Sequence, residues 1–265
     1  MLRKVQGNRL RTGIAGGGVA FLPESLALFA RFTTPPTLTR MVLINTLIGS
    51  LVTAGVWSKL DAFYMLAAAD AQSSLLNWVS TSYNLTAVNS PAFVADRGYT
   101  GDGATSYLET SFNPTTASSP KFVQDSAHQA LWARTNLPNG AGDSFDMGSS
   151  NSYISRAVSL SGRGATRPNA ASGQVIGSGV YPGYAAWTRS AAAIWEGYAQ
   201  GVDSGGGTTA SAAPINTTFA LLRSRDGSFG VNQIATAHFG SNLTAGEVAA
   251  AYTPLQTYLQ AIGAA

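Results

Sequence analysis

NLTAVNSPAFVADRGYTGDGATSYLETSFN, residues 84–113, is the stretch whose reading decides the fold. Its apolar letters come in short runs rich in β-branched and aromatic residues. Asn-Ser-Pro, Asp-Arg-Gly and Gly-Asp-Gly separate them, and these are turn formers. No run is long enough to show a helical period, so the stretch predicts short strands joined by tight turns. The same pattern fills the aromatic, Gly-punctuated run from His128 to Gly240.

Working outward, eight segments predict strands: residues 60–66, 106–110, 128–134, 151–160, 173–180, 192–202, 217–223 and 231–239. Asp226-Gly227 predicts a hairpin turn, because both residues tolerate the positive φ such turns demand. Eight segments of this kind suit two stacked sheets. Upstream the period changes. Pro35 and Pro36 stop what precedes them, Thr37 is a candidate N-cap, and Leu38, Met41, Val42, Ile48 and Val52 recur at helical spacing until Gly55, which predicts one helix over 38–54. Downstream, Thr244 and Glu247 have capping-box spacing. Thr253-Pro254 is expected to restart a second short helical turn through Leu255, Leu259 and Ile262.

The chain has 265 residues, of which 45% are hydrophobic and 11% charged, the composition of one large β domain with an appendage. Arg3, Lys4, Arg9 and Arg11 precede the first acid, Glu24. Sixteen basic residues less these four leave 12 against 13 acidic, so the body is nearly neutral. A nucleic-acid binder would carry its cations as a stripe on the folded domain, so nucleic acid is not expected as a partner. The organisation expected is an extended basic arm over 1–24, a helical attachment region over 25–58 and a sandwich over 59–265. Asn45, Thr46, Ser50 and Thr53 interrupt Met41–Trp57, which falls short of the roughly 20 apolar residues of a membrane span. The start MLRKVQGNRLRTG has no apolar core of a secretory leader, and a soluble chain is expected. There is no Cys, which removes disulfides and thiolate chemistry.

FARFTTPPTLTRMVLINTLI (29–48), AGVWSKLDAFYMLAAAD (54–70), residues 75–116 and HFGSNLTAGEVAAAY (238–252) carry a resemblance to a known family. The chain resembles the concanavalin A-like lectin/glucanase (laminin-G-like) superfamily, in the form found among tailed-bacteriophage structural proteins. In ADRGYTGDGATSYLET the resemblance is to a Gly-rich turn entering a strand that closes the sandwich. It implies a mainly β fold, a concanavalin A-like jelly-roll β-sandwich with an extended N-terminal arm, one N-terminal helix and short C-terminal helices. For the phage-type members it also implies a place on the virion surface, on tail or head.

Candidate chemistry is sparse. The glucanase branch needs two Glu residues close together on one strand, one to attack and one to protonate the leaving oxygen. Glu109 and Glu196 instead stand alone in separate strand-like segments. Gly142-Asp143-Ser144-Phe145 matches in letters the GDS block of an esterase family, with Asp125 and His128 as partners, but the order along the chain is reversed and a turn around Ser144 explains the same letters. With two His and no Cys a transition-metal site has no spacing to support it. Calcium is the ion that suits the loop residues Asp102, Asp143, Asp146 and Asp203, although Asx turns favour the same residues. Gly16-Gly17-Gly18 and Gly177-Ser178-Gly179 lack the strand-to-helix setting of a phosphate loop. Asn84, Asn216 and Asn242 head Asn-x-Ser/Thr triplets that matter only in a secreted eukaryotic protein.

Recognition is therefore expected of rings. Tyr181, Tyr184, Trp187 and Tyr198, with Trp195, form the aromatic run best suited to stack on sugar faces, although period-two placement sends some of them into the core. Trp57, Trp78 and Trp132 are assigned to packing. The resulting expectation is a non-enzymatic virion protein with no required cofactor, displayed on the tail and anchored through Arg3, Lys4, Arg9 and Arg11. Its partners are other virion proteins, a host surface glycan and further copies of itself as a symmetric oligomer such as a trimer. A head decoration or head-fibre protein and a cell-surface polysaccharide depolymerase are the alternatives.

Overall fold

The computed structural model describes residues 19–135, 144–157, 164–176, 182–225 and 228–265. The arm cations Arg3, Lys4, Arg9 and Arg11, together with Tyr181, Asp143 and the Asp226-Gly227 turn, lie outside the described residues.

With elements numbered in chain order, two antiparallel sheets stack as a jelly-roll sandwich. The first has the order β13 (Val202–Gly207), β12 (Ile194–Ala199), β11 (Gly183–Ala191), β6 (Ala127–Ala133), β17 (Gln233–Gly240), β4 (Gly98–Thr100), β3 (Ala92–Val94), and β1 (Leu60–Met65) pairs with β17 beside β4. The second runs β10 (Gln174–Ile176), β9 (Gly164–Pro168), β8 (Ser152–Ala157), β7 (Ser144–Ser149), β14 (Ala220–Leu221), β5 (Tyr107–Glu109), β2 (Thr86–Val88). A small hairpin pairs β15 (Arg223–Arg225) with β16 (Ser228–Phe229), flanking the expected Asp-Gly turn.

Residues 84–113 supply four of these strands and cross between the sheets twice. The first crossing turns at Asn89 and Ser90, both at positive φ. The second is the loop after β4, where Asp102 Oδ1 accepts the N–H groups of Ala104, Thr105 and Ser106 at 2.8–2.9 Å.

The helices α1 (Pro23–Phe29), α2 (Leu38–Thr53) and α4 (Ala245–Ala261) form a third layer against the first sheet; a single turn, α3 (Ala71–Ser74), follows β1. That sheet is consequently covered on both faces, and all seven residues of β6 are buried. Ala127, Leu131 and Ala133 face the second sheet, into a core with Tyr64, Phe112, Phe122, Trp187, Phe219 and Phe239. Ala130 and Trp132 face the helices, into a core with Ile44, Leu47, Phe63, Trp78, Tyr184, Tyr198 and Leu255.

The expected caps form. Thr37 Oγ1 accepts from Arg40 N–H at 3.3 Å, Gly55 follows α2 at φ 74°, and Thr244 and Glu247 make a reciprocal capping box. Three expectations are corrected. Residues 245–261 form one helix, with Pro254 inside it, because the buried stripe Val248, Ala251, Leu255, Tyr258 and Leu259 continues across the proline. The packing of that stripe outweighs the one hydrogen bond that proline cannot donate. The start of the helical region carries an additional helix, α1, with Pro23 in its first turn. Finally, α2 buries Ile44, Leu47, Ile48 and Leu51, while Leu38 and Val52 from the expected stripe are 62% and 37% exposed. No helix among the described residues is long and apolar enough to cross a membrane.

Candidate functional site

Of the sequence-predicted rings, Tyr181 lies outside the described residues, and Tyr184, Trp187 and Tyr198 are buried and form no surface. Tyr184 and Tyr198 are buried beneath the helices, and Trp187 lies between the sheets with its Nε1–H donating to Gln129 Oε1 at 3.2 Å. Trp195 is buried as well. Helices cover the face that carries Tyr184 and Tyr198, and the second sheet covers the opposite face, which carries Trp187. Trp78 and Trp132 are buried and Trp57 packs on Phe63, in keeping with their assignment to packing.

The ionisable candidates are scattered. Glu109 is on the second sheet and accepts from Ser111 N–H, whereas Glu196 is on the first and accepts from Tyr198 Oη–H. Ser144 is buried in β7 and its Oγ accepts from Val231 N–H; Asp125 accepts from Ser211 Oγ–H, and His128 faces Ser241 and His238. No Ser–His–Asp arrangement joins these three residues. Asp146 accepts from Asn232 Nδ2–H and Asp203 from Gly205 N–H. The Asp102 carboxyl is held well below the usual carboxylate range by its hydrogen bonds from Ser106, Thr105 and Ala104. Among the described residues no group of three or more His, Asp or Glu is placed to hold a metal ion.

What the fold does bring together is a cleft of about 250 Å³ at the N-terminal end of α2. Phe32, Pro35 and Pro36 from the α1–α2 connection form one wall, and Ala68, Ala69 and Asp70 from the loop after β1 form the other. Ile44, Trp78 and Tyr258 lie at its base. Each part has a local cause. The two prolines fix an extended connection that cannot join the helix. Asp70 is held as the N-cap of α3, its Oδ1 accepting from Ser73 N–H at 2.9 Å. Trp78 is pinned through its neighbour Asn77, a buried residue whose Oδ1 accepts from Phe63 and Val79 N–H and whose Nδ2 donates to Asp61 O and Ser82 O.

Arg40 supplies the charge. Its guanidinium donates to Asp96 at 2.6 Å and to Tyr258 Oη at 3.2 Å. Burial alone would weaken its hold on its proton, but Tyr258 and Asp96 outweigh that and raise its pKa. The cleft is thus an apolar, aromatic-based hollow bordered by a guanidinium, a carboxylate and the hydroxyls of Thr34, Thr37 and Ser73. Such a hollow can pack against the C–H faces of a small ring compound and hydrogen-bond its edge. Sequence reading missed it because its base joins residues far apart in the chain. The nearest signal was Pro35-Pro36 followed by a helix with Arg in its first turn.

No family model matches the chain, and no curated protein matches it. Among solved structures it is similar to domain 4 of AbnA, a GH43 extracellular arabinanase from Geobacillus stearothermophilus, in complex with arabinotriose, with a TM-score of 0.52, 16% identity, and coverage of 74% of this chain and 98% of that one. It is similar to a mutant of Trypanosoma rangeli sialidase displaying trans-sialidase activity, with a TM-score of 0.53, 12% identity, and coverage of 84% of this chain and 40% of that one. The botulinum neurotoxin serotype D binding domain gives a TM-score of 0.51 at 9% identity, covering 74% of this chain and 52% of that one. The chain therefore spans nearly all of the arabinanase domain but about half or less of the other two. At these identities the likeness is one of fold, a β-sandwich.

Proposed function

We propose that the chain is a non-enzymatic bacteriophage virion protein, carried on the tail, whose lectin-like sandwich holds one ring of a host surface glycan in the cleft at the start of α2. The observation that carries the recognition half is the cleft itself. It has an apolar base of Ile44, Trp78 and Tyr258, hydrogen-bonding groups at its border, and a volume below that of most drug-sized pockets. The fold likeness to an arabinanase domain solved with arabinotriose supports a saccharide as the class of ligand. The virion half rests on the sequence resemblance to phage structural proteins and on the cationic leader. A site of this size binds one ring weakly, and many copies on one particle would turn weak contacts into avidity.

The test is a titration of the full chain with arabinotriose and a panel of labelled surface oligosaccharides, following tryptophan emission. Saturable binding is expected, weakened at least tenfold by Phe32→Ala or by Ala69→Phe, which fills the cleft from an exposed position, with thermal stability unchanged. Reducing ends released from capsule or lipopolysaccharide, and abolished by Glu109→Gln or Glu196→Gln, would replace this reading with a depolymerase. Absence of binding across the panel, with adsorption unaffected by either cleft variant, would remove the glycan role.

A further inference from the structure

The charges around the cleft are unequally engaged. Among the described residues, Arg40 and Asp70 are the charged side chains that line it. Arg40 is occupied at both terminal nitrogens: Nη1 donates to Tyr258 Oη at 3.2 Å and Nη2 to Asp96 Oδ1 at 2.6 Å, so its charge is cancelled by a carboxylate already in contact. Asp70 has no such counterpart. Its Oδ1 accepts from Ser73 N–H at 2.9 Å, and among the described residues no Lys or Arg pairs with it. The border of the cleft therefore carries one uncompensated negative charge.

That carboxylate is also held in place against the facing wall. The turn α3, which Asp70 caps, carries Gln72. Gln72 Oε1 accepts from Thr33 N–H at 3.1 Å and from Thr33 Oγ1–H at 3.2 Å, and its Nε2–H donates to Arg31 O at 3.1 Å. Thr33 and Arg31 lead into the α1–α2 connection, the wall opposite Asp70. One side chain thus clamps the two walls together, and a hollow fixed in this way loses little order when a ligand enters.

We propose that Asp70 is the specificity-determining residue of the cleft, accepting hydrogen bonds from the hydroxyls or amine of a sugar ring that carries no acidic group. This rests on the glycan reading of the cleft and narrows its ligand class to neutral and amino sugars. A ring hydroxyl or ammonium is a donor, and a carboxylate with one bond at Oδ1 has acceptor capacity left for it. A carboxylated ring would instead bring a second negative charge beside Asp70, while the one cation of the lining already faces Asp96. Close to the apolar base of Ile44, Trp78 and Tyr258 that repulsion is screened less than on an open surface, so it acts against acidic sugars.

The experiment titrates the full chain at low salt with arabinotriose and with matched β-1,4-linked trimers of glucose, glucosamine and glucuronic acid. The glucose and glucosamine trimers are expected to bind at least tenfold more tightly than the glucuronic acid trimer. Asp70→Asn and Asp70→Ser both keep a side-chain oxygen to cap α3 and remove the charge, so melting temperatures should match that of the unaltered chain. In both variants the gap between neutral and acidic trimers is expected to shrink to threefold or less, a change that a purely structural role for Asp70 would not produce. Equal affinity of the unaltered chain for the glucose and glucuronic acid trimers, or a gap that both variants leave unchanged, would overturn the role of Asp70 while leaving the cleft as a glycan site. Absence of binding to all four saccharides would overturn the glycan reading and this inference with it.

Discussion

At the scale of single residues, the buried pair His128 and His238 forms a relay whose protons can be assigned from its ends. Ser241 C=O only accepts, so His128 Nδ1–H donates to it at 2.5 Å; His128 Nε2 then accepts from His238 Nδ1–H at 3.0 Å, and His238 Nε2 accepts from Tyr184 Oη–H at 3.2 Å. Every member is neutral in this arrangement. Burial pulls His128 down to about 4 and, with His128 beside it, holds His238 well below its ordinary value; Lys59 lowers and Glu247 raises His128 to a smaller extent. Folded imidazoles that bind protons more weakly than unfolded ones stabilise fully above the unfolded value near 6.5, and that stability is lost as pH falls toward 4. The expected loss from His128 alone is about 3 kcal/mol. Urea midpoints measured at pH 7.5 and 4.5 check this, and equal midpoints would contradict the assignment. Gly201 is a second residue with a definite demand. It sits at φ 75° in the β12–β13 turn, where an added Cβ would come within 2.6 Å of the Tyr252 ring on α4. Gly201→Ala is expected to cost about 2–4 kcal/mol, from left-handed strain plus overpacking. Gly205→Ala, at φ 107° with open space around it, should cost clearly less in the same denaturation assay.

Among the elements, Arg189 of β11 is one of the side chains that tie the two sheets, beside Gln129 of β6, whose Nε2–H donates to Ser152 O in β8 at 3.2 Å. Arg189 is fully buried, faces the second sheet, and donates to four carbonyls: Pro168 in β9, Ala191, Ala192 and Thr209. Lysine has fewer donors and no planar fork, so Arg189→Lys is expected to lose about 2 kcal/mol and Arg189→Met about 3 or more, read as a fall in the denaturation midpoint. A midpoint unchanged in Arg189→Met would show that the sheets need no such tie. Arg189 also shows where sequence reading ends. The strands around HQALWAR, IWEGYA and NQIATAHF were legible because they are short, ring-rich and bounded by Gly or Asn. Strand β11, GYAAWTRSA, is the longest of the first sheet and was not recognised, because its small residues give no alternation when both faces are covered. The same covering explains the misplaced rings: period two shows that Tyr184 and Trp187 face opposite ways, but not that both sides are occupied. The caps at Thr37 and Thr244 were legible because a cap is a local bond. The cleft was not, because Arg40 and Tyr258 meet across most of the chain.

On the scale of the whole molecule, the departure from a plain two-sheet sandwich is the helical layer, which buries one face of the first sheet and in doing so creates the cleft. The second sheet keeps an outer face where Arg223 lies over the Tyr107 ring at 4.8 Å and Arg167 over Tyr153 at 5.6 Å. The expected oligomer and the tail setting belong to this scale; sedimentation of the free protein bears on the first, and the position of the chain in images of the intact particle on the second. The layer also has a mechanical side. A pull on a ligand held at the start of α2 would run lengthwise through that one rod. Ile44, Leu47, Ile48 and Leu51 would resist it in shear against the sheet beneath.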